Sequence, residues 1–159
     1  MEWTTERRYR PYEDWTQEEI QNIKKNMAQS PWHTHYHVEP KTGLLNDPNG
    51  FSYFDGKWIL FYQNFPFGAA HGLKSWAQLE SDDLIHFKET GIKVLPDTPL
   101  DSHGAYSGSA MQFGDNLFLF YTGNVRDENW IRHPYQIGAL MDKDGKITKI
   151  DKILIDQPA

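Results

Sequence analysis

The chain opens on a helical period and then changes to a strand period. Ile20, Ile23 and Met27 recur at i, i+3 and i+7 behind Thr16-Gln17-Glu18-Glu19. That spacing predicts one short amphipathic helix capped by Thr16, a surface element that packs rather than reacts. Glu18 and Glu19 suit its positive end, Lys24 and Lys25 its negative end, and Ser30-Pro31 stops it. From Phe51 onward the apolar residues come in short aromatic runs divided by turns. Phe51-Ser52-Tyr53-Phe54, then Asp55-Gly56, then the run from Lys57 to Gln63 is a hairpin signal. Ser75 to Ser81 is a third strand, Asp82-Asp83 a polar turn, and Phe87 with Ile92 to Val94 supplies a fourth.

The same order then recurs. Ser109 to Phe113, the turn Gly114-Asp115-Asn116, and Leu117 to Tyr121 repeat the hairpin. Tyr135 to Met141, the turn from Asp142 to Gly145, and Lys146-Ile147-Thr148 follow. Leu60-Phe61-Tyr62 matches Leu119-Phe120-Tyr121 at a shift of 59, and Gly50 matches Gly108 at a shift of 58. Four strands repeating at that period predict an all-β protein built of propeller blades. Residues 1–32 read as an N-terminal arm with one helix, and 33–159 as a partial propeller of about two blades. Ile153 to Ala159 read as the start of a third blade, so the chain is expected to be truncated, the N-terminal piece of a longer protein.

Composition narrows the chemistry. Aromatic residues make up 14% of the chain, enough to line a sugar cleft as well as to fill a β core, where most of them belong. The net charge of −6 argues against nucleic acid or an anionic membrane as partner. With no cysteine, disulfide and thiolate chemistry are excluded. The first residues show no apolar run of a secretory signal and nothing approaches membrane-spanning length, which makes a cytoplasmic protein the default expectation. His33, His35 and His37 would share one strand face; a polar face is favoured over a zinc set, and no metal or other cofactor is expected.

One stretch carries more than turn chemistry. Leu44-Leu45-Asn46-Asp47-Pro48-Asn49-Gly50 sets a carboxylate between an amide and a proline where the first inner strand begins. The repeat puts Tyr106-Ser107-Gly108-Ser109 at the equivalent place in the second blade, so both would face one funnel, with Gln63 turned to its rim. Asn46-Asp47-Pro48-Asn49-Gly50, then Phe61-Tyr62-Gln63, Trp76, Asp83-Leu84-Ile85-His86-Phe87 and Ser107-Gly108-Ser109-Ala110, in that order, resemble glycoside hydrolase family 32. Within that family His71-Gly72-Leu73-Lys74-Ser75-Trp76 and the helical arm lean towards the bacterial sucrose-6-phosphate hydrolases.

The resemblance implies a five-bladed propeller followed by a β-sandwich, and retaining hydrolysis of β-fructofuranosides such as sucrose 6-phosphate or sucrose. It implies Asp47 as nucleophile. Asn46, Gln63 and Ser107 would hold fructose hydroxyls, with Leu44, Leu45, Tyr106, His71 and Trp76 completing the site. Two positions depart from the family pattern: Leu44-Leu45 stand for a frequent Trp-Met, and His71 for a frequent Trp. The acid/base Glu of the family lies beyond this chain, and Glu80 and Asp101 match no family position for that role. The expectation is therefore an enzyme whose 159 residues are inactive alone; the alternative is a non-catalytic fructoside-binding module. Lys74, His103 and Arg126 are candidates for touching a 6-phosphate, each weighed against an ordinary surface role.

Overall fold

The computed structural model describes residues 2–156. A one-turn helix α1 (Thr5–Arg8) and a 3-10 turn lead into α2 (Gln17–Ala28). Thr16 caps α2 as its sequence predicts: its hydroxyl accepts from the Glu19 N–H, and the Glu19 carboxylate accepts from the Thr16 N–H at 3.0 Å. Ile20 and Ile23 turn towards Trp15, Phe65 and Phe67, and Trp15 stacks on Phe67 at 4.2 Å. The arm also grips the chain after the second strand, where Leu73 N–H donates to Arg8 O and Tyr12 OH donates to Leu73 O.

Eight strands follow in two antiparallel four-stranded sheets, each ordered as it runs in sequence. The first holds β1 (Leu44–Phe54), β2 (Lys57–Phe65), β3 (Ser75–Ser81) and β4 (Lys88–Val94). The second holds β5 (Ala105–Phe113), β6 (Asn116–Arg126), β7 (Arg132–Met141) and β8 (Ile147–Ile155). These are two propeller-type blades of an all-β fold, as the repeat predicts. Both hairpin turns fall where Asp55-Gly56 and Gly114-Asp115 stand, at positive φ or beside it.

The blades pack face to face through large side chains at strand period. Phe61, Trp76 and Val94 of the first meet Leu117, Leu119, Tyr121 and Ile137 of the second, all essentially without solvent exposure. Each such side chain contributes about 1.5–3 kcal/mol of transfer free energy. The inner strands β1 and β5 approach closely where Gly50 stands at the crossing, and Gly108 of β5 lies tight against β6. A Cβ on Gly50, which has φ +55°, would lie 3.1 Å from the Ala110 Cβ; one on Gly108 would lie 2.1 Å from the Phe120 carbonyl oxygen.

Two expectations change. Residues 33–37 form no strand, so the three histidines share no strand face; His33 instead bonds Glu39 and the Met27 carbonyl oxygen. Pro40 and the proline at 31 bracket that segment and interrupt strand pairing. Ile153 to Ile155 belong to β8, the outer strand of the second blade, rather than to a third; Gln157 to Ala159 lie outside the described residues. The reason is reach: β7 runs for 10 residues, and its partner must extend past Thr148 to pair with Gln136.

Candidate active site

Asp47 sits in a break of the β1–β2 ladder. Pairing shifts register between Leu45 and Pro48 and again between Asn49 and Ser52, so the strand bends there and re-aims its side chains. Pro48, which has no N–H to donate, is tolerated because β1 is the edge strand of its sheet. A matching irregularity lies between Tyr106 and Gly108 on β5. Ser107 is thereby turned towards Asp47, and its hydroxyl donates to Asp47 Oδ2 at 2.7 Å.

Gln63 closes a triangle. Its amide nitrogen lies 2.6 Å from Ser107 Oγ and 3.5 Å from Asp47 Oδ2. Gln63 is buried at 3% exposure while Asp47 is exposed, so a fixed amide faces an open carboxylate. Asn49, which the sequence reading passes over as turn chemistry, is buried and joins the two strands. Its amide donates to the Asp47 carbonyl oxygen at 2.9 Å and its Oδ1 accepts from the Gly108 N–H at 3.0 Å. The repeat could have pointed to it, since it precedes Gly50 as Ser107 precedes Gly108.

Asn46 is oriented from below. Lys74 Nζ donates to Asn46 Oδ1, which leaves the amide nitrogen free to turn outward. Lys74 is 6% exposed; burial holds its ammonium below the ordinary lysine range, and the Asp47 charge partly opposes that shift. Tyr106 stands beside it, with its ring 6.0 Å from Lys74 Nζ and 5.0 Å from the Arg132 guanidinium. Burial, aided by Tyr9, pushes the Tyr106 hydroxyl up to about 12, so it stays protonated at neutral pH.

Other expected site residues fall elsewhere. Trp76 is fully buried between Phe61 and Tyr121, and its indole N–H donates to the Tyr106 carbonyl oxygen at 3.1 Å. It holds the start of β5, which carries Tyr106, and is fully enclosed. Leu44 and Leu45 are half-buried, packed against the Phe65 and Tyr62 clusters respectively. His71 is exposed on the loop between β2 and β3, and no hydrogen bond ties it to the Asp47 group. Glu80 pairs with Lys57 at 2.9 Å and accepts from Gln78. Asp101 is fully buried between the sheets, engaged by Thr98, Tyr121 and Lys149. A cavity of about 580 Å³ between α2 and the segment from His33 to Lys41 contains none of the Asp47 group.

The arrangement is one oriented carboxylate flanked by amide and hydroxyl groups, at the open inner edges of two blades. It suits attack on, or hydrogen bonding to, a polyhydroxylated ligand. Among the described residues no second carboxylate is hydrogen-bonded into it.

Comparison with known proteins fits this fold. The model of the glycosyl hydrolases family 32 N-terminal domain matches residues 37–159. The sucrose-6-phosphate hydrolase of Streptococcus mutans is 74% identical over 151 residues, 95% of this chain and 32% of that protein. That of Lactococcus lactis subsp. lactis is 54% identical over 98% of this chain and 33% of its own. The solved sucrose-6-phosphate hydrolase of Lactobacillus gasseri superposes with a TM-score of 0.96 at 51% identity, covering 99% of this chain and 32% of that one. A Bombyx mori β-fructofuranosidase of the same family, solved in complex with sucrose, superposes at 0.74 with 32% identity, covering 89% and 30%. The chain spans about a third of the length of the relatives it matches.

Proposed function

The chain belongs to glycosyl hydrolase family 32, and on that premise we propose that it supplies the nucleophile of a retaining β-fructofuranosidase acting on sucrose 6-phosphate or sucrose. In this reading residues 33–159 are the first part of a catalytic propeller and residues 1–32 its arm. Asp47 Oδ attacks the anomeric carbon of the fructosyl unit, the glycosidic C–O bond breaks, and an acid delivers a proton to the leaving oxygen. Water then attacks the fructosyl ester and regenerates the carboxylate. Ser107 and Gln63 hold the carboxylate in one orientation and offer their remaining lone pairs and protons to fructose hydroxyls. Asn46 turns its amide nitrogen to the same sugar. A cytoplasmic place of action fits a chain without cysteine.

The observation that carries the reading is the hydrogen-bonded triangle of Asp47, Ser107 and Gln63, built from both blades. A retaining pair needs a second carboxyl group about 5–5.5 Å away. Glu80 and Asp101 are committed to other partners. These 159 residues alone are therefore expected to lack the acid/base contribution, about 10²–10⁴-fold in rate. That same feature favours a second reading, a module that holds a fructoside without cleaving it.

Hydrolysis of sucrose 6-phosphate and sucrose by the full-length protein, wild type and Asp47→Asn, tests the first reading. Turnover lost in the variant supports it; an unchanged rate sinks it. Binding of fructose without any turnover by the wild type would favour the module.

A further inference from the structure

The cations that the sequence offers for a phosphate sort differently in the fold. Lys74 is buried and spent on Asn46. His103 Nδ1 accepts from the Arg126 N–H at 3.2 Å, and its ring packs against Tyr9 and Trp130. Arg126 gives one terminal nitrogen to the Trp130 carbonyl oxygen at 2.8 Å. The residue left with a free fork is Arg132, at the start of β7 and paired across the ladder with Arg126.

Arg132 is exposed yet oriented. Its Nε donates to Asn124 Oδ1 at 2.7 Å, and its guanidinium lies 5.0 Å from the centre of the Tyr106 ring. Asn124 is fully buried and immobilised: its N–H donates to Gly104 O, its carbonyl accepts from His103 N, and its amide donates to His103 O. Two contacts therefore fix the guanidinium plane. Its two terminal nitrogens have no protein partner among the described residues. The carboxylate of the neighbouring turn, Asp127, is engaged by His133 at 3.0 Å and by the N–H groups of Asn129 and Ile131.

Arg132 and Arg126 thus gather around Tyr106 with Lys74, whose charge the Asp47 carboxylate partly balances, in a chain whose net charge is −6. Like charges so placed repel, and an anionic ligand relieves that repulsion. The Tyr106 ring lies 6.0 Å from Lys74 Nζ, which bonds Asn46 beside Asp47. An anion on Arg132 therefore lies on the rim of the same site. A planar fork with two free donors matches a phosphate monoester bidentately.

We propose that Arg132, fixed by Asn124 and seated on Tyr106, anchors the phosphate of a phosphorylated disaccharide and sets a preference for the sugar phosphate over the neutral sugar. The assignment to substrate rests on the hydrolase reading above; the anion site itself does not.

The test is calorimetric titration of the full-length protein with glucose 6-phosphate and with glucose, as wild type, Arg132→Ala and Arg132→Lys. Wild type should prefer glucose 6-phosphate. Arg132→Ala should lose about 10- to 100-fold of that affinity and leave glucose unchanged. Arg132→Lys should fall between, since it keeps the charge and loses the fork. Equal affinity of the wild type for both sugars, no measurable binding of glucose 6-phosphate, or unchanged affinity in Arg132→Ala overturns the proposal. Glucose 6-phosphate binding that depends on Arg132, with no turnover of sucrose 6-phosphate, would keep the anion site and remove the hydrolase reading instead.

Discussion

Ser107 Oγ donates to Asp47 Oδ2 at 2.7 Å, across 60 residues of chain and from one blade to the other. A hydroxyl given to a carboxylate fixes which oxygen lone pair points into the cleft. Hydrogen bonds to charged groups are worth about 1.5–3 kcal/mol, or roughly 10- to 100-fold in a rate or binding constant. Ser107→Ala removes this bond and leaves Gln63 alone at 3.5 Å. In the full-length protein kcat/KM for sucrose 6-phosphate should fall by about that factor, with the melting temperature little changed because Ser107 is exposed. A rate within twofold of wild type would mean that the bond does not orient the Asp47 carboxylate.

Lys74 makes a prediction of mixed sign. Burying an ammonium against a neutral amide oxygen costs desolvation, which is why burial lowers its pKa. Lys74→Met keeps the stem and removes the charge. Stability should hold or rise, while affinity for fructose falls about tenfold as Asn46 loses its anchor. Chemical denaturation and fructose titration on the same samples measure both. A variant that loses stability and keeps affinity would make Lys74 a structural residue only.

The sequence reached Asp47, Gln63 and Ser107 because a turn motif and an internal repeat are local and periodic signals. The capping box of α2 was legible for the same reason. Lys74 on Asn46 and Arg132 on Asn124 were not, since a lysine or arginine reads as a solvated side chain until its neighbours are known. Trp76 lies deeper than its place in the sequence suggests. A tryptophan near a sugar site suggests a stacking wall, whereas its flanks Ser75 and Ala77 are also buried and the whole strand lies inside. The alternation of His33, His35 and His37 mimicked a strand that two prolines prevent.

Two histidines should titrate in opposite directions. The Glu39 carboxylate hydrogen-bonded to His33 raises its pKa above 6.5. Burial, and then the Arg126 charge, hold His103 below 6.5. His33 therefore contributes stability below pH 6.5 that is lost as pH rises through its folded pKa. His103 contributes stability above pH 6.5 that is lost as pH falls through its own, because the unfolded chain takes the proton first. Proton NMR titration of the imidazoles should resolve both. Glu39→Gln should return His33 towards 6.5, and Arg126→Ala should raise His103. Parallel midpoints in the wild type would contradict the assignment.

Asp101 is the residue whose removal should damage the fold most. It has no solvent exposure, and its Oδ1 accepts from the Thr98 N–H at 2.9 Å and the Thr98 hydroxyl at 2.7 Å. Its Oδ2 accepts from Tyr121 OH at 2.9 Å and from Lys149. The linker after β4 is thereby tied to β6 and β8 of the second blade. Removing one partner of a buried charged pair costs about 3–5 kcal/mol, because the other is left desolvated and unpaired. Asp101→Ala leaves Tyr121 OH unpaired while Lys149 keeps Asp97 at 2.5 Å, and should shift urea unfolding towards the lower end of that range. Asp101→Asn keeps the shape and one acceptor oxygen, and should lose less. Because the carboxylate lies in the interface with every oxygen engaged, turnover per folded molecule should be unchanged in Asp101→Asn. A variant of wild-type stability with lost turnover would reverse the assignment and return Asp101 to the candidates for proton transfer.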